Sequence, residues 1–315
     1  MDWQDKRQLV KVSNLYYRDG LTQAQIAKKM GVSRPVISKL LQRAKDEGIV
    51  EIFIKDESLH TVNLELEIES RFDLCDVIVV PNKGNSDALT MKAVGLAGAE
   101  YLSKNMSDIH SIGVSWGTTV AQVIKEYPYE QRKGIQVIPL EGGMGVRAVE
   151  IHANHLANEL SKKLNGFCSY LYAPAIVGTK ELKTRLMEMQ DIKEVLDAGR
   201  EVDLALIGIG NPHKESTLMK IGYLKDEDIM KLKELGAVGD IGFRFFDEFG
   251  IQIEDSLNDK VIGISLGELK HIKKVIAVTV GEHKVKSVLG ALRGGYIDVL
   301  ITDEKTAEAI TEKNN

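Results

Sequence analysis

Three short stretches carry residue types that together suit a phosphate monoester. "SIGVSWGTTV" (111–120) runs from apolar residues into Gly113, Ser115, Gly117, Thr118 and Thr119 before an apolar helical pattern resumes. A strand, a loop of small residues and a helix in that order present backbone N–H groups and hydroxyls to an anion. "PLEGGMG" adds Glu141, Gly142 and Gly143, and "VGEHK" ends in Lys284, a cation placed where a helix begins after a strand. N–H donors, hydroxyl donors and one ammonium fit a phosphate ester. A nucleotide is disfavoured, because GxxxxGK[ST] is absent and "GIGNPH" (208–213) lacks the third glycine and following acidic residue of a dinucleotide fingerprint. No cofactor is expected, and "GIG" reads as close backbone approach at a strand end.

A different chemistry sits at the N-terminus. In "LTQAQIAKKMGVSRPVISKLLQRAKDEG", Thr22 is placed to cap a short helix with Ile26, Ala27 and Met30 facing inward, and Gly31 closes it. Ser33 is placed to cap the next, Pro35 is tolerated in its first turn, and Val36, Ile37, Leu40 and Leu41 are the expected buried face. With the preceding stripe of Leu9, Val12, Leu15 and Tyr16 this is a helix-turn-helix, whose last helix lies in the major groove and offers its first residues to base edges. The expected DNA-facing set is Thr22, Gln23, Ser33, Arg34, Pro35, Ser38, Lys39 and Arg43, with Lys28 and Lys29 neutralising backbone phosphates. Charge supports the division: residues 1–55 hold eleven Lys/Arg against six Asp/Glu, whereas the remainder holds 30 against 40. A basic head on an acidic body points to a polyanion for the head alone.

The elements that must position these groups follow from the pattern of apolar runs. "GIVEIFIKD" alternates and predicts a strand or wing hairpin after the head. From "DVIVVP" onward, apolar runs without polar alternation are each followed by an amphipathic stretch: "SIGVS", "IQVIPLEGG", "SYLYAPAIV", "VDLALIGIG", "KKVIAVTVG" and "IDVLITDE". That predicts a doubly wound α/β body with a mostly parallel sheet covered on both faces, and ligands in such folds lie at the carboxyl ends of the strands. The expected domains are a helix-turn-helix head over 1–55, a linker over 56–72, and an effector-binding domain over 73–315. Cys75 and Cys168 lack metal or redox spacing and are expected as buried free thiols. No apolar run approaches the ~20 residues of a membrane span, and no signal region opens the chain, so a cytoplasmic location away from membranes is expected.

The blocks "LTQAQIAKKMGVSRPVISKLLQRAKDEGIV", "GVSWGTT", "PLEGGMG", "LALIGIG", "GAVGDIGFRFFDEFG", "VGEHKVKSVLGALRGG" and "LITDEKTAEAI", in that order over nearly the whole chain, resemble the SorC-type sugar-binding transcriptional regulators. In that family a helix-turn-helix precedes a Rossmann-like domain akin to phosphosugar isomerases and glucosamine-6-phosphate deaminase. The resemblance implies an intracellular repressor or activator, dimeric or tetrameric, whose affinity for operator DNA changes with a phosphorylated sugar or polyol. It places the phosphate loop on Ser115, Gly117, Thr118 and Thr119, the phosphate-facing lysine on Lys284, and an acidic ligand for sugar hydroxyls on Asp240. Glu141 and His152 fall on two further lining positions. Some relatives carry a cation where this chain has Glu141, and a carboxylate there repels a second phosphate, so a monophosphorylated effector is expected. The alternative, an isomerase or deaminase with a DNA-binding head, needs a tuned acid–base pair. Glu141, Asp240 and His152 are its candidates, but the deaminase's paired acidic motif and Asp-x-His segment are not found, and no catalysis is expected.

Overall fold

The head is built from the helix Trp3–Ser13, continued by a π-helical turn Asn14–Arg18, then the helices Gln23–Met30 and Arg34–Asp46. Thr22 begins the second with a capping box: its hydroxyl accepts the Gln25 N–H while the Gln25 side chain accepts the Thr22 N–H at 2.8 Å. Gly31 closes that helix at φ 69°. Ser33 is the N-cap of the third helix but makes no side-chain cap bond. Leu9, Val12, Leu15, Ile26, Ala27, Ile37, Leu41 and Ala44 are buried. The third helix therefore turns Ile37, Leu41 and Ala44 inward. Val36, expected inside, is 40% exposed because the i, i+4, i+7 stripe passes beside it.

The computed structural model describes residues 3–50, 56, 58–82, 86–132, 134–212 and 216–312. Most of the expected strand "GIVEIFIKD" lies outside the described residues. The chain divides into two compact units, Met1–Leu59 and His60–Asn315. The segment expected as a linker over 56–72 is, from Leu59 to Phe72, a helix belonging mainly to the second unit. Leu64 and Ile68, four residues apart, enter the core of that unit, while Leu66 between them is 58% exposed.

Seven parallel strands form the body's sheet: β1 (Asp76–Val80), β2 (Ser111–Val114), β3 (Gln136–Pro139), β4 (Phe167–Cys168), β5 (Leu204–Gly208), β8 (Val275–Val278) and β9 (Val299–Asp303). Their spatial order is β1-β9-β8-β5-β2-β3-β4. The short pair β6 (Gly239–Ile241) and β7 (Arg244–Phe246) forms a separate antiparallel hairpin. Neighbouring strand residues feed opposite cores. Ala205, Ala277 and Leu300 pack with Leu64, Val288 and Ile310 on one face, and Leu206, Ile276 and Ile301 with Val94, Val120 and Leu156 on the other. Two covered faces explain why these strands are apolar without alternation.

"SYLYAPAIV" departs from expectation. Only Phe167–Cys168 joins the sheet, and residues 169–177 run on with Leu171, Ala173, Ala175 and Val177 buried in strict alternation. Isolated bridges Gly143↔Pro174 and Ile176↔Val261 replace a ladder, because the run packs on loops rather than beside a strand. Both cysteines are free, as expected, but Cys75 is exposed just ahead of β1 and Cys168 is half-buried.

Candidate functional site

The sheet order reverses between β2 and β5, and a crevice beyond the carboxyl ends of such strands is where open α/β sheets bind ligands. A cavity with about 570 Å³ of free space, counting its open mouth, is lined there by residues 116–119 after β2, 208–211 at the end of β5, 216–218, Asp240 on β6, and His283 and Lys284 after β8. Of the expected effector residues, Gly117, Thr118, Thr119, Asp240 and Lys284 come together on this one cavity.

The loop after β2 differs in detail from a simple anion cradle. The Ser115 N–H bonds the Leu206 carbonyl at 3.0 Å, the Gly117 N–H bonds the Ile151 carbonyl at 3.1 Å, and the Trp116 N–H bonds Glu141 Oε1 at 2.5 Å. These three donors are spent inside the fold. Gly117 caps the helix Thr118–Glu126 at φ 138°, a conformation open chiefly to glycine. What is left for an anion is the first turn of that helix, whose leading N–H groups have no intrahelical acceptor, together with the Thr118 and Thr119 side chains. The donor set is thus shifted toward the C-terminal end of the loop.

Asp240 faces the cavity from the hairpin. It is 2% exposed and its Oδ1 has no hydrogen-bond partner among the described residues, whereas buried polar atoms are nearly always bonded. Burial pushes its carboxyl up to about 7, against the opposing pull of the Phe243 N–H and the Lys284 ammonium. Burial in turn lowers Lys284, with Asp240 pulling the other way. Asp240 Oδ1 thus stands without a donor among the described residues, near a desolvated cation.

Several expected residues do not line this cavity. Glu141, 2% exposed, turns onto the loop from behind, where one oxygen accepts both the Trp116 N–H and the Ser115 hydroxyl, the latter at 3.1 Å. Its carboxyl is pushed up to about 8 by burial, with Asp240 adding to the rise and these two donors opposing it. Ser115, spent on Glu141, shares with it a separate small recess. Gly142 and Gly143 serve packing: a Cβ on Gly142 would meet the Pro174 carbonyl at 2.6 Å, and Gly143 pairs with Pro174. His152 caps the helix Ala153–Leu164 by position, and its Nε2 lies 2.9 Å from the Arg147 carbonyl.

The cavity also uses residues that the sequence reading missed: Asn211, Ser216 and Thr217. The signal was an asparagine directly after the apolar run "LALIGIG", in a segment read only for its glycines. Trp116 is nearly buried and stacks on Phe243, centroids 4.9 Å apart and planes 9° apart.

In the head, Ser33, Arg34, Pro35, Ser38 and Lys39 are exposed or partly exposed at the start of the third helix. Arg34 shares a hollow with Thr22, Gln23 and Tyr16, so the N-termini of the second and third helices open onto one surface. Arg43 differs in that its guanidinium is held by Glu47 at 2.6 Å and approached by Asp5 at 3.8 Å.

Residues 56–312 match the family described as "Putative sugar-binding domain", and residues 12–53 match the MarR family. The chain is 32% identical to the deoxyribonucleoside regulator of Bacillus subtilis (strain 168), over 98% of this chain and 99% of that one. The full-length sorbitol operon regulator SorC from Klebsiella pneumoniae superposes with a TM-score of 0.76 at 29% identity, covering 97% and 98% of the two chains. The sugar-binding domain of a transcriptional repressor from Vibrio fischeri gives 0.74 at 31% identity, covering 81% of this chain and all of that one. The chain belongs to the SorC-type family of sugar-binding transcriptional regulators.

That membership joins the two halves. The SorC-type regulators pair a helix-turn-helix with a sugar-binding domain, and both are present here with the net positive charge confined to the first. These relatives are regulators, not enzymes, and so is this chain. No described helix is long and apolar enough to cross a membrane.

Proposed function

We propose that this SorC-type regulator is a cytoplasmic repressor of a carbohydrate catabolism operon whose hold on DNA is set by a monophosphorylated sugar or polyol. The observation that carries the reading is the convergence on one cavity of a helix N-terminus with two threonines, the Lys284 ammonium, and the Asp240 carboxyl, whose Oδ1 has no partner among the described residues. The phosphate seats on Thr118, Thr119 and Lys284, and Asp240 accepts a hydroxyl hydrogen bond from the sugar. A single lysine among the described lining residues favours one phosphate over two. Repression has the support of the Vibrio fischeri neighbour, and a homodimer or homotetramer follows from a helix-turn-helix that reads two half-sites.

Thermal unfolding against a panel of sugar phosphates tests the effector. A ligand at 100 times its Kd adds ~2.7 kcal/mol of apparent stability. A monophosphate is expected to give the largest gain and Lys284→Met to erase it. A larger gain from fructose 1,6-bisphosphate than from every monophosphate would sink the preference for one phosphate.

On the DNA side, Arg34 stands exposed at the first position of the third helix. Arg34→Ala is expected to cost ~1–3 kcal/mol in operator binding and to relax base preference, as loss of a bidentate base contact does. Footprints and affinities equal to wild type would remove Arg34 from the interface.

A further inference from the structure

The proposed anion site depends on a group that never enters the cavity. We infer that Glu141 is the positioning residue of that site: its carboxyl group clamps the 115–117 loop and the Asp240 hairpin into one register. Four contacts on these segments support this. Glu141 Oε1 accepts the Trp116 N–H at 2.5 Å and the Ser115 hydroxyl at 3.1 Å, fixing the backbone immediately before the helix that carries Thr118 and Thr119. On its far side Oε2 packs against the β6–β7 turn, so closely that a Cβ built on Gly242 would lie 3.2 Å from it. The next turn residue, Phe243, stacks on Trp116.

Asp240 stands two residues before Gly242 of that turn. Its backbone is tied to the end of β5 by paired bonds, Gly210 N–H to the Asp240 carbonyl at 2.9 Å and Asp240 N–H to the Gly210 carbonyl at 3.1 Å. The phosphate-binding end and the hydroxyl-binding end are therefore held against each other through Glu141 on one side and the Trp116–Phe243 stack on the other. A ligand that spans both ends needs their separation preset. Positions held by packing and by hydrogen bonds from behind supply that without occupying the cavity.

A carboxyl suits the task because one of its oxygens can accept two donors. It also removes the Trp116 N–H and Ser115 hydroxyl from the ligand's reach, leaving Thr118, Thr119 and Lys284 as the anion seat. The inference rests on the proposed function for what that seat binds, but the clamp itself can be measured without a ligand.

The test uses the full chain with Glu141→Gln and Glu141→Ala. Amide hydrogen exchange at Trp116, with Val114 of β2 as internal control, is expected to quicken about tenfold to a hundredfold in the alanine variant, the range for a buried donor left without its acceptor. The glutamine variant, whose amide oxygen can accept the same N–H, is expected to stay within about threefold of wild type. Binding of inorganic phosphate should follow the same order, weakened in the alanine variant and restored in the glutamine one. Unchanged Trp116 exchange in Glu141→Ala, or a glutamine variant as impaired as the alanine one, overturns the assignment. Should the alanine variant fail to fold, the Trp116 amide proton resonance decides: it is expected to follow a carboxyl titration in wild type and to be flat in Glu141→Gln, and equal titration in both overturns it. If wild type binds neither phosphate nor any sugar phosphate, the proposed function falls, and exchange and resonance still decide the role of Glu141.

Discussion

Replacing Arg244 with methionine is expected to lower the Tm of the body by about 10 °C, taking ~4 kcal/mol of lost stability at roughly 2–4 °C per kcal/mol for a domain of this size. The buried guanidinium is a hub for backbone carbonyls. Nη1 donates to Asn258 at 2.6 Å, Nη2 to Val261 and Gly263 at 3.2 Å each, and Nε to Ile264 at 3.4 Å. Burial lowers its pKa to about 10, offset in part by Glu268 and Asp259, so it remains a cation at neutral pH. A methionine fills similar volume but donates nothing, leaving acceptors in a dry interior at ~1–3 kcal/mol for each that finds no other donor. Arg244→Lys, with one ammonium in place of a planar fork, is expected to recover less than half of the loss. Calorimetric unfolding checks both, and a methionine variant melting within about 2 °C of wild type would show that the carbonyls find water instead.

The second large effect concerns pH. Glu141 and Asp240 are raised from 4.5 to about 8 and from 3.8 to about 7. A carboxyl whose folded pKa lies above its unfolded one takes up a proton on folding. Its contribution is complete below the unfolded value and is lost as pH climbs through the folded one. The protein is therefore expected to lose stability between about pH 4.5 and 8, by an amount on the order of a few kcal/mol for two such groups, since a tenfold change in proton affinity corresponds to ~1.4 kcal/mol. Asp203, lowered to about 2 by Lys273 and the His110 and Ser111 N–H groups against opposing burial, acts in the opposite sense: its contribution is present above its unfolded 3.8 and is lost as pH falls toward 2. The two windows do not overlap. The pair Glu141→Gln with Asp240→Asn should flatten the profile between about pH 4.5 and 8. If the double variant keeps the wild-type slope in thermal melts across that range, the loss originates elsewhere.

Much of the architecture was legible in the residues themselves. Strands buried on both faces leave unbroken apolar runs, and a helix-turn-helix leaves its caps, its Gly31 turn and its charge. The cavity loop 116–119 was legible because Gly117 and the threonines announce a helix N-terminus, and the place of Lys284 on the same cavity because it follows a strand. Other features depend on choices that types and spacing leave open. Glu141 lies two residues beyond β3, past the point where alternation dictates direction, so its preference for a loop N–H over a ligand hydroxyl was invisible. Asp240 sits in a three-residue strand too short to show a pattern and was reached only through the family resemblance. Residues 59–72 place Leu64 and Leu66 close together in sequence but on opposite faces, so their spacing could not show that this helix packs into the body's core rather than serving as a helical linker or dimer contact.

The stack of Trp116 on Phe243 has a practical consequence. The chain holds two tryptophans, Trp3 in the head and Trp116 in the body, so the body contains a single indole, and that indole lines the cavity. Whatever enters beside it alters the polarity around one fluorophore whose emission comes from a known place. With Trp3 changed to phenylalanine, the regulator becomes its own optical gauge of occupancy, read without label or DNA.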